Sequence, residues 1–349
     1  MAQFSNLIVT AVEPTTRDAV VVTLARADGG EIEFSPGQYL TFRRDFDGVE
    51  LRRSYSICSG PGEPVRIGIK RVKGGAFSGW ANDRLSVGDM VGALDPMGQF
   101  AVPPALAPRH VLLIAAGSGI TPILSVLRAL MTKPDTRVTL IYANRNLNTI
   151  MFREELEDLK NRHMGRLSIL HILSGGQDIP LFSGRIDDAK IDALFASWID
   201  PAGVDLAMIC GPEALTKVIV AGLKRHGIDP ANIRYELFGS AQPGRLIQTA
   251  ARAEKQKPTA ATVTLDGAAL SFDMERDQSV LDAAIAAGLD APFACKAGVC
   301  STCRCRVIEG EVEMAANHAL EDYEVARGFV LSCQSYPLTD RVVVDYDQH

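Results

Sequence analysis

Ala294-Cys295-Lys296-Ala297-Gly298-Val299-Cys300-Ser301-Thr302-Cys303, followed by a distant fourth cysteine in Leu331-Ser332-Cys333-Gln334, is the stretch from which the rest of the chain is read. Four residues separate the first pair of cysteines and two the second, the spacing that wraps a plant-type 2Fe–2S cluster. Thiolates are soft, anionic ligands suited to iron. A turn at Gly298 lets backbone N–H groups face the sulfurs and offset the negative charge of such a cluster. A zinc site would show two close cysteine pairs, or cysteine with histidine, and no histidine lies within the run. Cys295, Cys300, Cys303 and Cys333 are therefore the expected iron ligands, with Cys58, Cys210 and Cys305 outside the cluster.

Seven cysteines in 349 residues, four of them assigned to iron, make a poor disulfide framework, and a reducing cytoplasm is expected. The first ten residues lack the basic start and apolar run of a signal peptide. The longest apolar stretch, residues 111–116, is too short to span a bilayer, so no membrane partner is expected. A net charge of −6 argues against nucleic acid, which calls for a basic face. The length suits two or three domains.

Upstream of the cysteines, apolar runs of strand length recur at residues 110–116, 138–142, 167–173, 205–210 and 233–238. Helical spacing separates them at 122–131, 151–162, 188–198 and 212–226. Strands and helices in alternation predict a doubly wound parallel α/β sheet over residues 107–238, with ligands beyond the carboxyl ends of its strands. Residues 1–106 instead carry short β-rich pieces at 7–12, 19–25, 38–42, 51–57, 65–71 and 90–94, with one helical signal at 77–85. Punctuated by Gly, Pro and Asp, they predict a small antiparallel β-barrel. Periodicity fails over 239–258, which reads as a linker. Residues 259–349 open on a hairpin around Asp266-Gly267 and a helix over 279–287, an α+β unit that carries the cysteine loop.

Four further elements carry chemistry. In Arg53-Ser54-Tyr55-Ser56, strand alternation puts Arg53 and Tyr55 on one face, offering a cation beside an aromatic plane to a ligand with phosphate and a flat ring. Lys73-Gly74-Gly75-Ala76-Phe77-Ser78 combines glycines that permit close backbone approach with a helix start that favours an anion. Ala116-Gly117-Ser118-Gly119-Ile120-Thr121-Pro122 joins the first parallel strand to its helix as a pyrophosphate cradle, with Thr121 expected as the N-cap. Cys210-Gly211-Pro212 ends another parallel strand at the ligand rim. Beyond the second strand, Tyr142-Ala143-Asn144-Arg145 presents a cation and no acid, which favours the 2′-phosphate of NADPH over the free 2′-hydroxyl of NADH.

In this order, followed by the cysteine loop, these motifs resemble the ferredoxin–NADP reductase superfamily fused to a C-terminal plant-type ferredoxin. Within it they look most like the reductase subunits of the phenylacetyl-CoA epoxidases of phenylacetate degradation. The resemblance implies FAD, a nicotinamide nucleotide and a 2Fe–2S cluster, with a β-grasp fold for the α+β unit of residues 259–349. It places Arg53 on the flavin pyrophosphate, Tyr55 against the flavin and Ser56 near flavin N5. Gly74, Gly75 and Ser78 would hold the flavin phosphates. Gly117, Thr121, Cys210, Gly211 and Pro212 would line the nicotinamide site, with Cys210 near the hydride-donating carbon. Glu236 and Phe238 would lie beside the isoalloxazine.

The combination has its own logic. Nicotinamides yield electrons in pairs, iron–sulfur clusters take them singly, and a flavin converts between the two. An electron-transfer reductase follows, and the resemblance implies a terminal oxygenase as its acceptor, expected to be a di-iron epoxidase. The other readings are a reductase for a Rieske-type aromatic-ring or steroid hydroxylase, and a non-enzymatic redox carrier or sensor. An acidic run after the cysteines (Glu309, Glu311, Glu313, Glu321, Asp322 and Glu324) is read either as a plainly solvated face or as one that docks on the oxygenase.

Overall fold

The first six strands of the structure, a computed structural model, form one antiparallel sheet: β1 (Ser5–Thr16), β2 (Ala19–Arg26), β3 (Tyr39–Phe46), β4 (Val49–Ser56), β5 (Val65–Lys70) and β6 (Met90–Ala93). Described are residues 4–46, 48–175, 179–238, 258–320 and 322–348. The order β4-β3-β6-β1-β2-β5 leaves β4 and β5 as edges. An antiparallel bridge between Ile57 and Ile67, with the Cys58 N–H donating to the Arg66 carbonyl at 2.8 Å, joins those edges and closes the barrel. Closure removes the exposed edges that invite aggregation. Alternation along the strands delivers Val22, Leu24, Leu40, Phe42, Ile67 and Ile69 to a common interior, which α1 (Ala76–Asp83) caps with Phe77 and Ala81.

The middle of the chain forms a five-stranded, wholly parallel sheet of β7 (His110–Ala116), β8 (Arg137–Asn144), β9 (Leu167–Leu173), β10 (Leu206–Gly211) and β11 (Ile233–Leu237). Its order, β11-β10-β7-β8-β9, reverses direction between β7 and β10. Strands buried on both faces explain the unbroken apolar runs. On one face α2 (Ile120–Met131) and α3 (Arg153–Arg162) pack in a core that also takes in Ala19, Val21, Cys58 and Phe100 of the barrel segment. On the other, α4 (Asp188–Ser197) and α5 (Glu213–Arg225) bury Ile191, Leu194, Ile219 and Leu223.

The C-terminal unit has a core of its own, drawn from residues 261–346. Its main sheet runs β13 (Ala268–Met274), β12 (Thr259–Leu265), β18 (Arg341–Asp345), β14 (Arg304–Glu309), β16 (Phe329–Leu331), with β12 and β18 parallel. The helix α6 (Val280–Ala286) and the short α7 (Asp322–Ala326) accompany it, and β15 (Val312–Met314) pairs with β17 (Ser335–Pro337). Asp266 and Gly267 both have positive φ, 54° and 74°, the left-handed pair that a two-residue hairpin turn requires.

Two expectations need correction. Thr121 is not the N-cap of α2: Gly117–Gly119 makes a 3-10 turn, Gly119 is the capping residue, and Thr121 lies inside the first helical turn. The third helix begins at Arg153 rather than 151, because Phe152 sits in the left-handed region at φ 56° and breaks the helical repeat before it starts. Most of the expected linker, residues 239–257, lies outside the described residues. No helix among those described is long and apolar enough to cross a membrane.

Gly37 tests how tightly the barrel segment is fitted. It has φ 102°, and a Cβ there would stand 1.7 Å from the Phe100 carbonyl oxygen, whereas Gly29, at φ 79°, faces open space. Gly29→Ala should cost about 1 kcal/mol, the price of a left-handed side chain alone. Gly37→Ala should cost about 2 kcal/mol more through overpacking. Melting curves of the two variants would decide, and equal shifts would refute a close-packed contact at Gly37.

Candidate functional site

At the switch point the carboxyl ends of β7 and β10 stand side by side, with Ala115 opposite Cys210. Gly117 adopts φ 53°, its carbonyl accepting a hydrogen bond from the Tyr142 hydroxyl at 2.9 Å. A Cβ on Gly119 would come within 2.2 Å of the Cys210 carbonyl oxygen, so only glycine lets the turn lie on the β10 backbone. A Cβ on Gly211 would stand 3.1 Å from the Ala116 Cβ, a tight but lesser contact, and Pro212 is the N-cap of α5. The Phe238 N–H donates to the Gly211 carbonyl at 3.3 Å, tying the end of β11 to the same rim.

Cys210 pairs in register with Glu236 on β11. Glu236 is hydrogen-bonded to Ser56 of β4, which is itself buried. Ser56, Cys210 and Glu236 thus meet at one place although 180 residues separate the ends of the set. Burial lifts the Glu236 carboxyl from 4.5 to about 8, with the Ser56 hydrogen bond opposing the rise. Its Oε2 is buried without a hydrogen-bond partner. Burial, reinforced by Glu236, also raises the Cys210 thiol. An enclosed carboxyl with an orphan oxygen, beside a thiol kept neutral, suits a polar ring edge that exchanges a proton.

On β4, Arg53 and Tyr55 are half-buried. The Tyr55 ring lies 5.6 Å from Phe77 and 6.1 Å from Phe42, packed on one side by its own domain. The Arg53 guanidinium donates to the Arg52 carbonyl at 2.7 Å. Gly74, at φ 74°, has nothing within 4 Å of where a Cβ would stand, leaving room for a ligand against the backbone. A Cβ on Gly75 would press on Ser78 Oγ at 2.7 Å. Ser78 is buried, and its hydroxyl accepts from the Val72 N–H at 3.1 Å and donates to the Gly75 carbonyl. It shapes the loop from within. Arg145 is exposed just past the end of β8, while Arg153 is paired with Glu157 at 2.9 Å.

All seven cysteines are free thiols. The four expected ligands fall into two pairs, the Cys300 thiol hydrogen-bonded to Cys295 and the Cys303 thiol to Cys333. No three Cys, His, Asp or Glu among the described residues converge as the shell of a single metal ion. Two thiol pairs are what two irons would need. Lys296, Gly298 and Ser301 all have positive φ, and the Ala297 N–H donates to Cys295 Sγ at 3.3 Å. The Cys300 thiol and surrounding N–H groups pull Cys295 down to about 6 against burial. A donor set of paired thiols under inward N–H groups fits an anionic cluster. Cys305 is fully buried, and burial raises its thiol, as expected of a packing residue.

The acidic run fares less well. Glu324 is only 2% exposed and pairs with Arg304 at 3.1 Å, so it belongs to the interior. Glu309 pairs with Arg341 at 3.4 Å. Glu321 lies outside the described residues.

Sequence reasoning also missed several positions. Gly68 and the ion-pair group Glu63, Arg66, Arg128 and Glu155 fasten the α/β segment to the barrel. A hydroxyl chain, from Tyr346 to Ser332 at 2.7 Å and on to the Cys303 carbonyl at 2.9 Å, backs the cysteine loop. Only Gly68 left a signal, as an isolated glycine within a strand pattern.

Comparison with known proteins agrees with this geometry. An oxidoreductase FAD-binding domain matches residues 7–102, an oxidoreductase NAD-binding domain 113–221 and a 2Fe-2S iron-sulfur cluster binding domain 263–338. The chain is 42% identical over 355 residues to one of the subunits of 1,2-phenylacetyl-CoA epoxidase from Escherichia coli (strain K12), covering 99% of each. It is 32% identical over 356 residues to the ferredoxin reductase component of 3-ketosteroid-9-alpha-monooxygenase from Mycobacterium tuberculosis, covering 98% of this chain and 96% of that one. Phthalate dioxygenase reductase shares the fold, with a TM-score of 0.63 at 24% identity over 98% of both chains. With three domains matched in order and a relative similar from end to end, the chain belongs to the family of oxygenase reductase components that join FAD-binding, NAD-binding and 2Fe-2S domains in one polypeptide.

Proposed function

We propose that this chain takes electrons from NADPH and passes them to the di-iron component of a phenylacetyl-CoA epoxidase in the cytoplasm. The convergence of Ser56, Cys210 and Glu236 beside the Gly117–Gly119 turn carries the reading of the chemistry. The relative similar over 99% of the chain supports the choice of acceptor. Domain boundaries near residues 106, 238 and 258 accompany this reading.

When bound, FAD would take a hydride from the nicotinamide and release electrons singly to the 2Fe–2S cluster. Arg53 and the Gly74-Gly75 loop would hold the flavin phosphates, and Tyr55 would stack on the ring with Phe77 behind it. Gly117, Thr121, Gly211 and Pro212 would shape the nicotinamide site, with Phe238 at its edge. Cys210, kept neutral, would present a small unhydrated surface to the nicotinamide. The Ser56 hydroxyl would relay a proton between the flavin edge and Glu236, whose raised pKa suits exchange near neutrality. Cys295, Cys300, Cys303 and Cys333 would hold the cluster.

Anaerobic NADPH should bleach the flavin and then the visible iron–sulfur absorbance. Adding the epoxidase oxygenase component, phenylacetyl-CoA and air should then yield epoxide. Flavin bleaching without epoxide, alongside support of a steroid hydroxylase, would identify the wrong acceptor.

Arg145 would accept the 2′-phosphate. Arg145→Ala should lower kcat/KM for NADPH by about tenfold relative to NADH, some 1.4 kcal/mol. Equal losses for both nucleotides would reject the assignment.

Glu236 also predicts a pH dependence of stability. The unfolded chain loses this proton near 4.5 and the folded chain near 8, so folding takes up a proton between those values. The associated stability is full below about 4.5, falls as pH rises, and is gone above about 8. Glu236→Gln removes the uptake. The melting temperature of the variant relative to the parent should climb from pH 5 to pH 8 and level off, and a constant difference would contradict the raised carboxyl.

A further inference from the structure

Gly68 lies in the middle of β5, where a glycine weakens a strand by its flexibility and its missing side chain. It is not among the residues with positive φ, so the backbone does not demand glycine there. Space does. A Cβ at Gly68 would stand 2.7 Å from Thr121 Cγ2, with Phe152 Cζ at 3.1 Å and Met151 Cε at 3.2 Å. The Met151 and Phe152 atoms are the far ends of longer side chains, and at 3.2 and 3.1 Å they need yield only a few tenths of an ångström. Thr121 is less free: it is 1% exposed, β-branched, and held by a hydrogen bond from its hydroxyl to the Ser118 carbonyl at 3.0 Å. The first turn of α2 therefore rests on bare β5 backbone.

That seat joins the two halves of the reaction site. From Gly68 the chain leads to Ile67, which bridges to Ile57, the neighbour of Ser56. From Thr121 the hydrogen bond leads into the Gly117–Gly119 turn, pressed in its turn on the Cys210 carbonyl. We propose that Gly68 is a positioning residue for hydride transfer: its missing side chain sets the distance between the nicotinamide cradle at the start of α2 and the flavin segment at the end of β4. The inference rests on the reductase reading above.

The test uses the holoprotein. Gly68→Ala should keep FAD and iron at the levels of the unaltered protein. Flavin reduction at saturating NADPH should slow by about tenfold, and the long-wavelength charge-transfer absorbance of the nicotinamide–flavin pair should weaken, because hydride transfer is steeply sensitive to misplacement. Thr121→Ser keeps the hydroxyl and deletes Cγ2. The double variant Gly68→Ala, Thr121→Ser should therefore recover both rate and absorbance to the level of Thr121→Ser alone. If Gly68→Ala does not fold, recovery of folding and of the absorbance in the double variant makes the same case. A Gly68→Ala protein with full rate and absorbance would overturn the proposal, and so would a double variant no better than the single one. Failure of NADPH to bleach the unaltered protein would instead refute the reductase reading itself.

Discussion

A closed ring of contacts surrounds the switch point, and the remainder of the larger unit is arranged to keep it closed. Ser56 bonds to Glu236, Glu236 lies in register with Cys210, and the Cys210 carbonyl is covered by Gly119. From there α2 carries the path to Thr121, Gly68 receives Thr121, and the Ile57–Ile67 bridge returns it to the neighbour of Ser56. Two of these links exist only because a side chain is missing. In a close-packed interior such gaps are as specific as any side chain, since an added methyl group has nowhere to go.

Farther along α2, charge and hydrogen bonding take over from shape. Arg128 bonds Glu63 at 2.7 Å and also meets Glu155, while Arg66 reaches Glu155 at 2.6 Å. Glu63 and Arg66 come from the barrel segment, Arg128 and Glu155 from the α/β segment, so the four alternate in sign across the seam. Ser125 donates to the Ser59 carbonyl at 2.6 Å beside them. Partly buried ion pairs are weak evidence for stability, because desolvation offsets much of their attraction. Their contribution here is directional. They fix how far α2 slides along β5, while the apolar core holding Val21, Phe100 and Leu124 supplies the adhesion.

Much of this architecture was legible in the sequence because it follows from local rules. Continuous apolar runs mark doubly buried strands, Asp266-Gly267 marks a two-residue hairpin, and the cysteine spacing marks its loop. The capping of α2 was misread because Thr121 looks like an N-cap, yet the tight turn at Gly117 shifts that role to Gly119 and frees the threonine methyl for the barrel. Glu324 looked like one more surface acid, since nothing local announces that Arg304 waits for it across the fold. Ser56 shows the deeper limit. Strand alternation separates it from Arg53 and Tyr55, and its meeting with Glu236 joins two domains. Only the resemblance to a family brought that pair forward, because a contact between distant segments leaves no periodic trace in either one.

The two compact units divide the labour along a physical line. Moving a hydride needs donor and acceptor held at van der Waals distance in one orientation, so the segments that would bind flavin and nicotinamide belong to one compact unit and share an apolar core where they meet. Moving one electron is far more tolerant of distance and angle. The cluster-bearing unit accordingly keeps its own core, from Ala261 to Tyr346, and braces its cysteines internally through Tyr346 and Ser332. A module that must meet an acceptor outside the chain gains from being self-sufficient in this way, because its thiols stay ordered whichever surface it faces. Rigidity is built where two electrons move together, and independence where they move one at a time.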